Sequence, residues 1–297
     1  AIDTNTLETD EAIREAAETY TVFGRVTPEM KKALIRALKK NGHTVAMTGD
    51  GVNDVLAMRE ANCAVAMAGG AQAATQVAQL VLTESDFSRM PGIVAEGRRV
   101  VNNIQRAATL FLVKNIFSLG LALINIFAGL AYPVIPIHMT LISALTIGTP
   151  SFFLALEPNY QRFSGHFLRG VLRRAFPGGL TNIFVVLAAQ AFMPVFGLEL
   201  PQIGTVSAGI LGAVGLLVLW QACRPFDLWR RIIWIAMAVA LVGSFLFLGG
   251  FFQLQLGDTR TLLALGTLLL MTPTVFFGMQ WVFDMGERLI LRFREKK

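Results

Sequence analysis

Apolar and polar positions are arranged differently in two parts of the 297-residue chain. Up to about residue 104, short apolar runs alternate with polar turns, as in a globular domain; from Gln105 onward, long apolar stretches are separated by short polar loops. In the first part, residues 10–17 have the spacing of a short amphipathic helix, and residues 20–23, aromatic and β-branched, that of a strand. Residues 27–38 read as a helix with Thr27 as N-cap and Pro28 in its first position, closed by Asn41-Gly42. The runs 43–47 and 63–67 read as buried parallel strands; the first turns through Thr48-Gly49-Asp50-Gly51 into a helix near Asp54, and the second precedes Gly69-Gly70 and a further helix. This alternation predicts a doubly wound, Rossmann-like α/β fold. In the second part the pattern predicts an all-α bundle of six transmembrane helices, at 107–130, 134–156, 180–196, 206–223, 232–252 and 262–283.

Composition supports the division. With 54% hydrophobic and 15% charged residues and a mean hydropathy of +0.56, most of the chain belongs in lipid. The net charge of +6 is gathered in particular loops: Arg162, Arg169, Arg173 and Arg174 in one, Arg224, Arg230 and Arg231 in another, and Arg288, Arg292, Arg294, Lys296 and Lys297 in the tail. The opposite loops carry little basic charge besides Arg260. That asymmetry orients a membrane protein and argues against nucleic acid as a partner. It predicts a multi-pass protein of the plasma membrane with the first region, the basic loops and the C-terminus all cytosolic. The expected organisation is thus 1–104 as a cytosolic domain with its linker, 105–285 as six spans and 286–297 as a basic cytosolic tail. Cys63 and Cys223 are too few for a disulfide framework. His43, His138 and His166 lack metal-ligand spacing, while Trp220, Trp229, Trp234 and Trp281 lie near span ends, as interfacial anchors do. The chain opens at Ala1 inside what reads as a domain, so a preceding portion is expected.

The chemistry of the first part is concentrated in Thr48-Gly49-Asp50-Gly51-Val52-Asn53-Asp54, at the carboxyl end of an expected parallel strand. Asp50 and Asp54 can turn their carboxylates toward one point, and two hard oxygen donors suit Mg²⁺ bound together with phosphate oxygens. Asn53 and the Gly-rich backbone can donate to phosphate, and Lys31 can place a point charge beside it. Singly, Asp50-Gly51 has the form of an ordinary turn and Asp54 that of a helix cap. The intact string, continued by Val55-Leu56-Ala57-Met58, resembles the hinge motif of P-type ATPases of the haloacid-dehalogenase superfamily. Phe23-Gly24-Arg25-Val26-Thr27-Pro28-Glu29-Met30-Lys31 is similar to the family's phosphate-site lysine motif, and Glu96-Gly97-Arg98 with Asn102-Asn103-Ile104-Gln105 to its linker into the fifth membrane helix. The resemblance implies a partial phosphorylation domain using ATP and Mg²⁺. It implies metal coordination by Asp50 with Asp54 nearby, a catalytic string including Thr48 and Gly49, phosphate contact by Lys31, and nucleotide or phosphate roles for Arg25 and Asn53. The family's Asp-Lys-Thr-Gly-Thr motif, whose aspartate is phosphorylated, does not occur in these residues. The chain by itself is therefore expected to be inactive, its partner being the missing N-terminal part of the same pump.

In the apolar part, polar side chains mark a candidate pathway. The first span carries Lys114, Asn115, Ser118 and Asn125; Asn115 and Ser118 can share a face. Lys114 lies about 14 Å beyond Gln105, deep for a snorkelling lysine. In the second span, residues 146–150 with Pro150 are placed to break the helix and free carbonyls for a cation. The resemblance places cation ligands at Asn115, Ser118, Ser143, Thr146 and Ile147, of which Ser118 and Ile147 replace residues that are acidic in calcium pumps. The stretches 141–148 and 152–159 are most similar to the bacterial branch called cation-transporting ATPase E, which implies Ca²⁺ as cargo. Competing readings are a lipid flippase, since that branch also carries Lys-Asn here, a membrane-tethered phosphatase of the same superfamily, and a non-catalytic membrane partner. Glu157 ends a helix or sits at the cytosolic mouth, and Met271-Thr272-Pro273 marks a kink in the last span.

Overall fold

The computed structural model describes residues 1–163 and 165–295, leaving aside the side chains of 193, 194, 196 and 290–295. It divides into two compact units, Ala1–Val94 and Ala95–Lys297, a border earlier in the chain than the hydropathy pattern suggests. Of the expected basic tail, Lys296 and Lys297 and the side chains of Arg292 and Arg294 lie outside the described residues.

The first unit opens with β1 (Ile2–Asp3), α1 (Asp10–Thr19), β2 (Phe23–Gly24) and α2 (Pro28–Lys40), with β1 and β2 paired in parallel. The strand expected at 20–23 shrinks to its end because β1 offers only two residues to pair with. Thr27 caps α2 as expected, its Oγ1 accepting from the Met30 N–H at 3.2 Å. The helix closes at Gly42, whose φ of +90° lets the His43 N–H reach back to the Leu38 carbonyl at 3.1 Å. Ile13, Leu34 and Ala37 join α1 to α2.

Next come β3 (Ala46–Gly49), α3 (Val55–Glu60), β4 (Cys63–Met67), α4 (Gln72–Val77) and β5 (Leu80–Leu82). The three strands form a parallel sheet in the order β3-β4-β5, as the strand-helix alternation predicts. β3 begins later than the apolar run does because Asn62 occupies Val45: its Oδ1 accepts from the Val45 N–H at 2.9 Å, and its own N–H donates to the Val45 carbonyl at 2.9 Å. The ladder then runs from Ala46↔Cys63 to Gly49↔Ala66. β5, three residues long, is too short to show a period. Met58, Ala64, Ala66 and Ala74 make the small core between sheet and helices.

The second unit consists of α5 (Met90–Ala128), α6 (Pro136–Ser143), α7 (Thr149–Ala155), α8 (Phe167–Phe196), α9 (Leu200–Ala222), α10 (Leu228–Phe247) and α11 (Thr259–Glu295). α6 and α7 are one span joined by a π-helical segment, Ala144–Gly148, so that among the described residues six helical segments are long and apolar enough to cross a membrane. α8 and α11 extend well beyond the apolar runs. Arg169, Arg173 and Arg174 therefore stand on a helix and not in a loop, because arginine favours helix and Arg173 meets Asp284 and Glu287 of α11, each at 2.9 Å. α9 is the most enclosed helix, packed by α6, α8, α10 and α11. Its glycines make this possible: a Cβ on Gly209 would lie 2.5 Å from Leu265, and one on Gly212 2.7 Å from Leu241.

Glu157, just after α7, is enclosed between two arginines. Arg106 of α5 donates to it at 3.0 Å and the Arg230 Nε of α10 at 2.7 Å, and all three residues are over nine-tenths buried. Asn102 and Asn103 of α5 add bonds to the carbonyls of Asn159 and Gln161 and of Ala155 and Glu157. Glu157→Ala would strand two buried cations, and its expected cost is about 3–5 kcal/mol. Thermal unfolding in detergent should show that loss, and Arg106→Met/Glu157→Leu/Arg230→Met should recover most of it.

Candidate functional site

At the carboxyl end of β3 the chain is pinched between two close approaches. A Cβ on Gly49 would stand 2.5 Å from the Asp54 Cβ, and one on Gly70 would stand 2.5 Å from the Asp50 carbonyl oxygen. That carbonyl accepts from the Ala71 N–H at 2.6 Å. The loop then makes a 3₁₀ turn, Val52–Asp54, into α3. Asp54 is buried at 8% exposure; the Lys31 Nζ donates to its Oδ1 at 2.6 Å, and the Gly51 N–H to its Oδ2 at 3.3 Å. Burial pushes the Asp54 carboxyl up, but the hydrogen bonds from Lys31 and Gly51 outweigh it and hold the group below the usual carboxylate range.

Lys31 and Asp54, distant in sequence, are thus one unit. The carboxylate of Asp54 is engaged by Lys31, whereas Asp50 and Asn53 are exposed and Thr48 is half-buried behind them. Arg25, in a left-handed conformation at φ 55°, is exposed with its guanidinium 3.4 Å from Asp3. Among the described residues no three His, Cys, Asp or Glu side chains cluster as a closed metal site. An exposed carboxylate on a Gly-rich loop, backed by a second one, fits Mg²⁺, which keeps waters and takes one or two carboxylates with phosphate oxygens. Asp50 would hold it, with Asp54 behind, and the bound ion would offset phosphate charge.

Within the helical unit, α5, α6, the π-helical segment, α8 and α9 line a cavity of about 30 Å³ whose wall is mostly apolar but includes Lys114, Ser143, Thr146 and Asn182, with Gly215 opposite. This is room for one water-sized group. The expected break at 146–150 is instead a widened turn: the Thr149 N–H bonds the Ala144 carbonyl, five residues back, and the helix continues. Thr146 donates to the Ile142 carbonyl at 2.8 Å. It fits because α9 has Gly215 opposite, where a Cβ would meet Thr146 at 2.7 Å. Asn115 and Ser118 do not line the cavity. Lys114 faces it, and the next residue turns about 100° away, leaving Asn115 exposed; Ser118 lies one turn beyond a space the size of one water.

Asn182 of α8, which the reading of the first two spans missed, is 4% exposed, and its Oδ1 and the Ser143 Oγ have no hydrogen-bond partner in the described structure. Its signal was available: an amide within the apolar run expected at 180–196. Glu157 was noticed, but its two arginine partners were not.

A phosphate-type α/β unit and a six-span helical unit in one chain define a class: a haloacid dehalogenase-like region in a multi-pass membrane protein. Residues 4–62 match the family described as haloacid dehalogenase-like hydrolase. The chain is 42% identical to the probable cation-transporting ATPase exp7 of Streptococcus pneumoniae, over 97% of this chain and 37% of that protein. It is 41% identical to the calcium-transporting ATPase CtpE of Mycolicibacterium smegmatis, over 79% of this chain and 32% of that protein. These matches bear out the resemblance to P-type ATPases, and the chain spans about a third of the length of these relatives.

A depressed carboxylate stabilises above its unfolded value and loses that contribution as pH falls through its folded value. For Asp54 the loss falls in the acid range below the ordinary value of 3.8. Asp54→Asn should abolish this part of the acid dependence, read by hydrogen exchange at residues 48–54 between neutral and acid pH.

Proposed function

We propose that the chain forms the phosphate-stabilising and cation-conducting portion of an ATP-driven P-type cation transporter, with Ca²⁺ as the favoured cargo. The observation that carries this reading is the Lys31–Asp54 pair at 2.6 Å, set behind the exposed Asp50 at the mouth of a parallel sheet. Asp50 supplies the metal carboxylate, Lys31 and Asp54 hold the loop and its charge, and Asn53 and Arg25 stand where phosphate or nucleotide approaches. The transport reading draws its support from the cavity of about 30 Å³ beside Lys114. That volume suits one dehydrated cation. The unpaired oxygens of Ser143 and Asn182 are the proposed cation donors, Lys114 is a fixed ammonium that takes the place of a counter-ion, and Thr146 shapes the wall. Asn115 and Ser118 are left to contacts outside this cavity. The name of the Mycolicibacterium relative favours calcium, and the positive-inside pattern favours the α/β unit and C-terminus on the cytosolic side of the plasma membrane.

In the complete transporter, phosphate from labelled ATP should appear on protein in a Mg²⁺-dependent manner. Asp50→Asn should lower steady-state ATPase activity by roughly 100-fold or more, while the chain alone takes up no label. Normal turnover by Asp50→Asn would sink the phosphoryl-transfer assignment.

Asn182→Leu should weaken activation of ATPase by Ca²⁺ by about tenfold through the loss of one oxygen donor. Activation by another cation but not Ca²⁺ would redirect the cargo, and activation by lipid alone would favour the flippase.

A further inference from the structure

Two neighbouring features at one polar end of the helical unit remain unused by phosphoryl transfer or by the cation cavity. The first is a polar pocket of about 570 Å³ lined by Asn102 and Gln105 of α5, by Gln161 and Arg162, and by His166, Arg173 and Arg174 at the start of α8. Among the described residues no acidic side chain lines it. Arg162 and Arg174 have no ion pair or hydrogen bond among the described residues, whereas Arg169 and Arg173 are taken up by Asp284 and Glu287. The second is an apolar cleft of about 740 Å³ between α8 and α11, walled by Leu168, Leu172, Phe176, Val282 and Phe283. The Phe176 and Phe283 rings stack at its base, 6.1 Å apart.

His166 and Arg173 line both spaces. An apolar cleft on a membrane-spanning helix pair therefore runs into a basic pocket with two uncompensated guanidinium groups, Arg162 before the amino end of a 30-residue helix and Arg174 two turns into it. That helix end adds positive potential of its own. We propose that cleft and pocket together are a binding site for an anionic phospholipid, its phosphate held by Arg162 and Arg174 and an acyl chain lying between α8 and α11. The proposal rests on the reading of these helices as membrane-spanning. Phosphate chemistry alone would also admit a soluble phosphate, but the contiguous apolar wall selects a lipid. Glu287, which lines the cleft, is engaged by Arg169 and Arg173, and this selects against a headgroup carrying an ammonium.

The test uses the full chain reconstituted in phosphatidylcholine vesicles containing a minor fraction of phosphatidylglycerol, re-extracted in mild detergent, with bound lipids quantified by mass spectrometry. Phosphatidylglycerol should be enriched about tenfold over its bulk ratio, as two surface guanidinium groups warrant. The enrichment should vanish in Arg162→Gln/Arg174→Gln, persist in Arg162→Lys/Arg174→Lys, and survive excess glycerol 3-phosphate. Phe176→Ala should lower total retained lipid. Bulk-ratio retention by the native chain, equal enrichment in the Gln variant, or displacement by glycerol 3-phosphate would each overturn the proposal. Loss of cation-stimulated ATPase in the complete transporter would instead address the pump assignment and leave this readout unchanged.

Discussion

The helical unit depends on how one carboxylate is neutralised away from water. Glu157 receives Arg106 from α5 and Arg230 from α10, so the first span, the end of the second and the start of the fifth are fixed to one another by a single side chain. Ions taken out of water lose several kcal/mol each, and only multiple, well-directed hydrogen bonds offset that loss. Here the carboxylate meets two planar donors, while Asn102 and Asn103 bind the backbone carbonyls of the adjoining loop. The arrangement holds in place the end of the span that carries the π-helical segment.

That segment is where the packing becomes permissive. α9 presents glycines to its neighbours, so helices approach closely, yet a small space is left in which Lys114, Ser143 and Asn182 stand among apolar side chains. A buried polar atom without a partner costs about 1–3 kcal/mol, and two such oxygens in one cavity are a cost that a bound cation can remove. A π turn supplies the shape, because it rotates the residues after it relative to an α-helix without breaking the backbone.

The α/β unit treats charge differently because water is near. The Lys31–Asp54 pair is only partly enclosed, at 34% and 11% side-chain exposure, so its role is chiefly positional. It ties the start of α2 to the start of α3 and keeps the loop between them taut, while Asp50 remains open to solvent. Gly49 and Gly70 are required by the same tightness, since any side chain there would strike Asp54 or the Asp50 backbone.

Local chemistry on its own determined much of this protein. Thr27-Pro28 set the start of α2, residues 63–67 were a strand in both pattern and fold, and six apolar runs became six spans, because caps, rigid φ values and transfer out of water act within a few residues. The string from Thr48 to Asp54 likewise disclosed its chemistry before its geometry. Only the tertiary structure decided who meets whom. Val45 is withdrawn from β3 by Asn62, Lys31 turns to Asp54, Asn115 turns away from the cavity while Asn182 lines it, and Arg169 and Arg173 are made helical against acids of α11. These outcomes join residues far apart in the chain, so no local spacing encodes them. They are set by which helices pack closely enough for a buried charge or amide to find its partner.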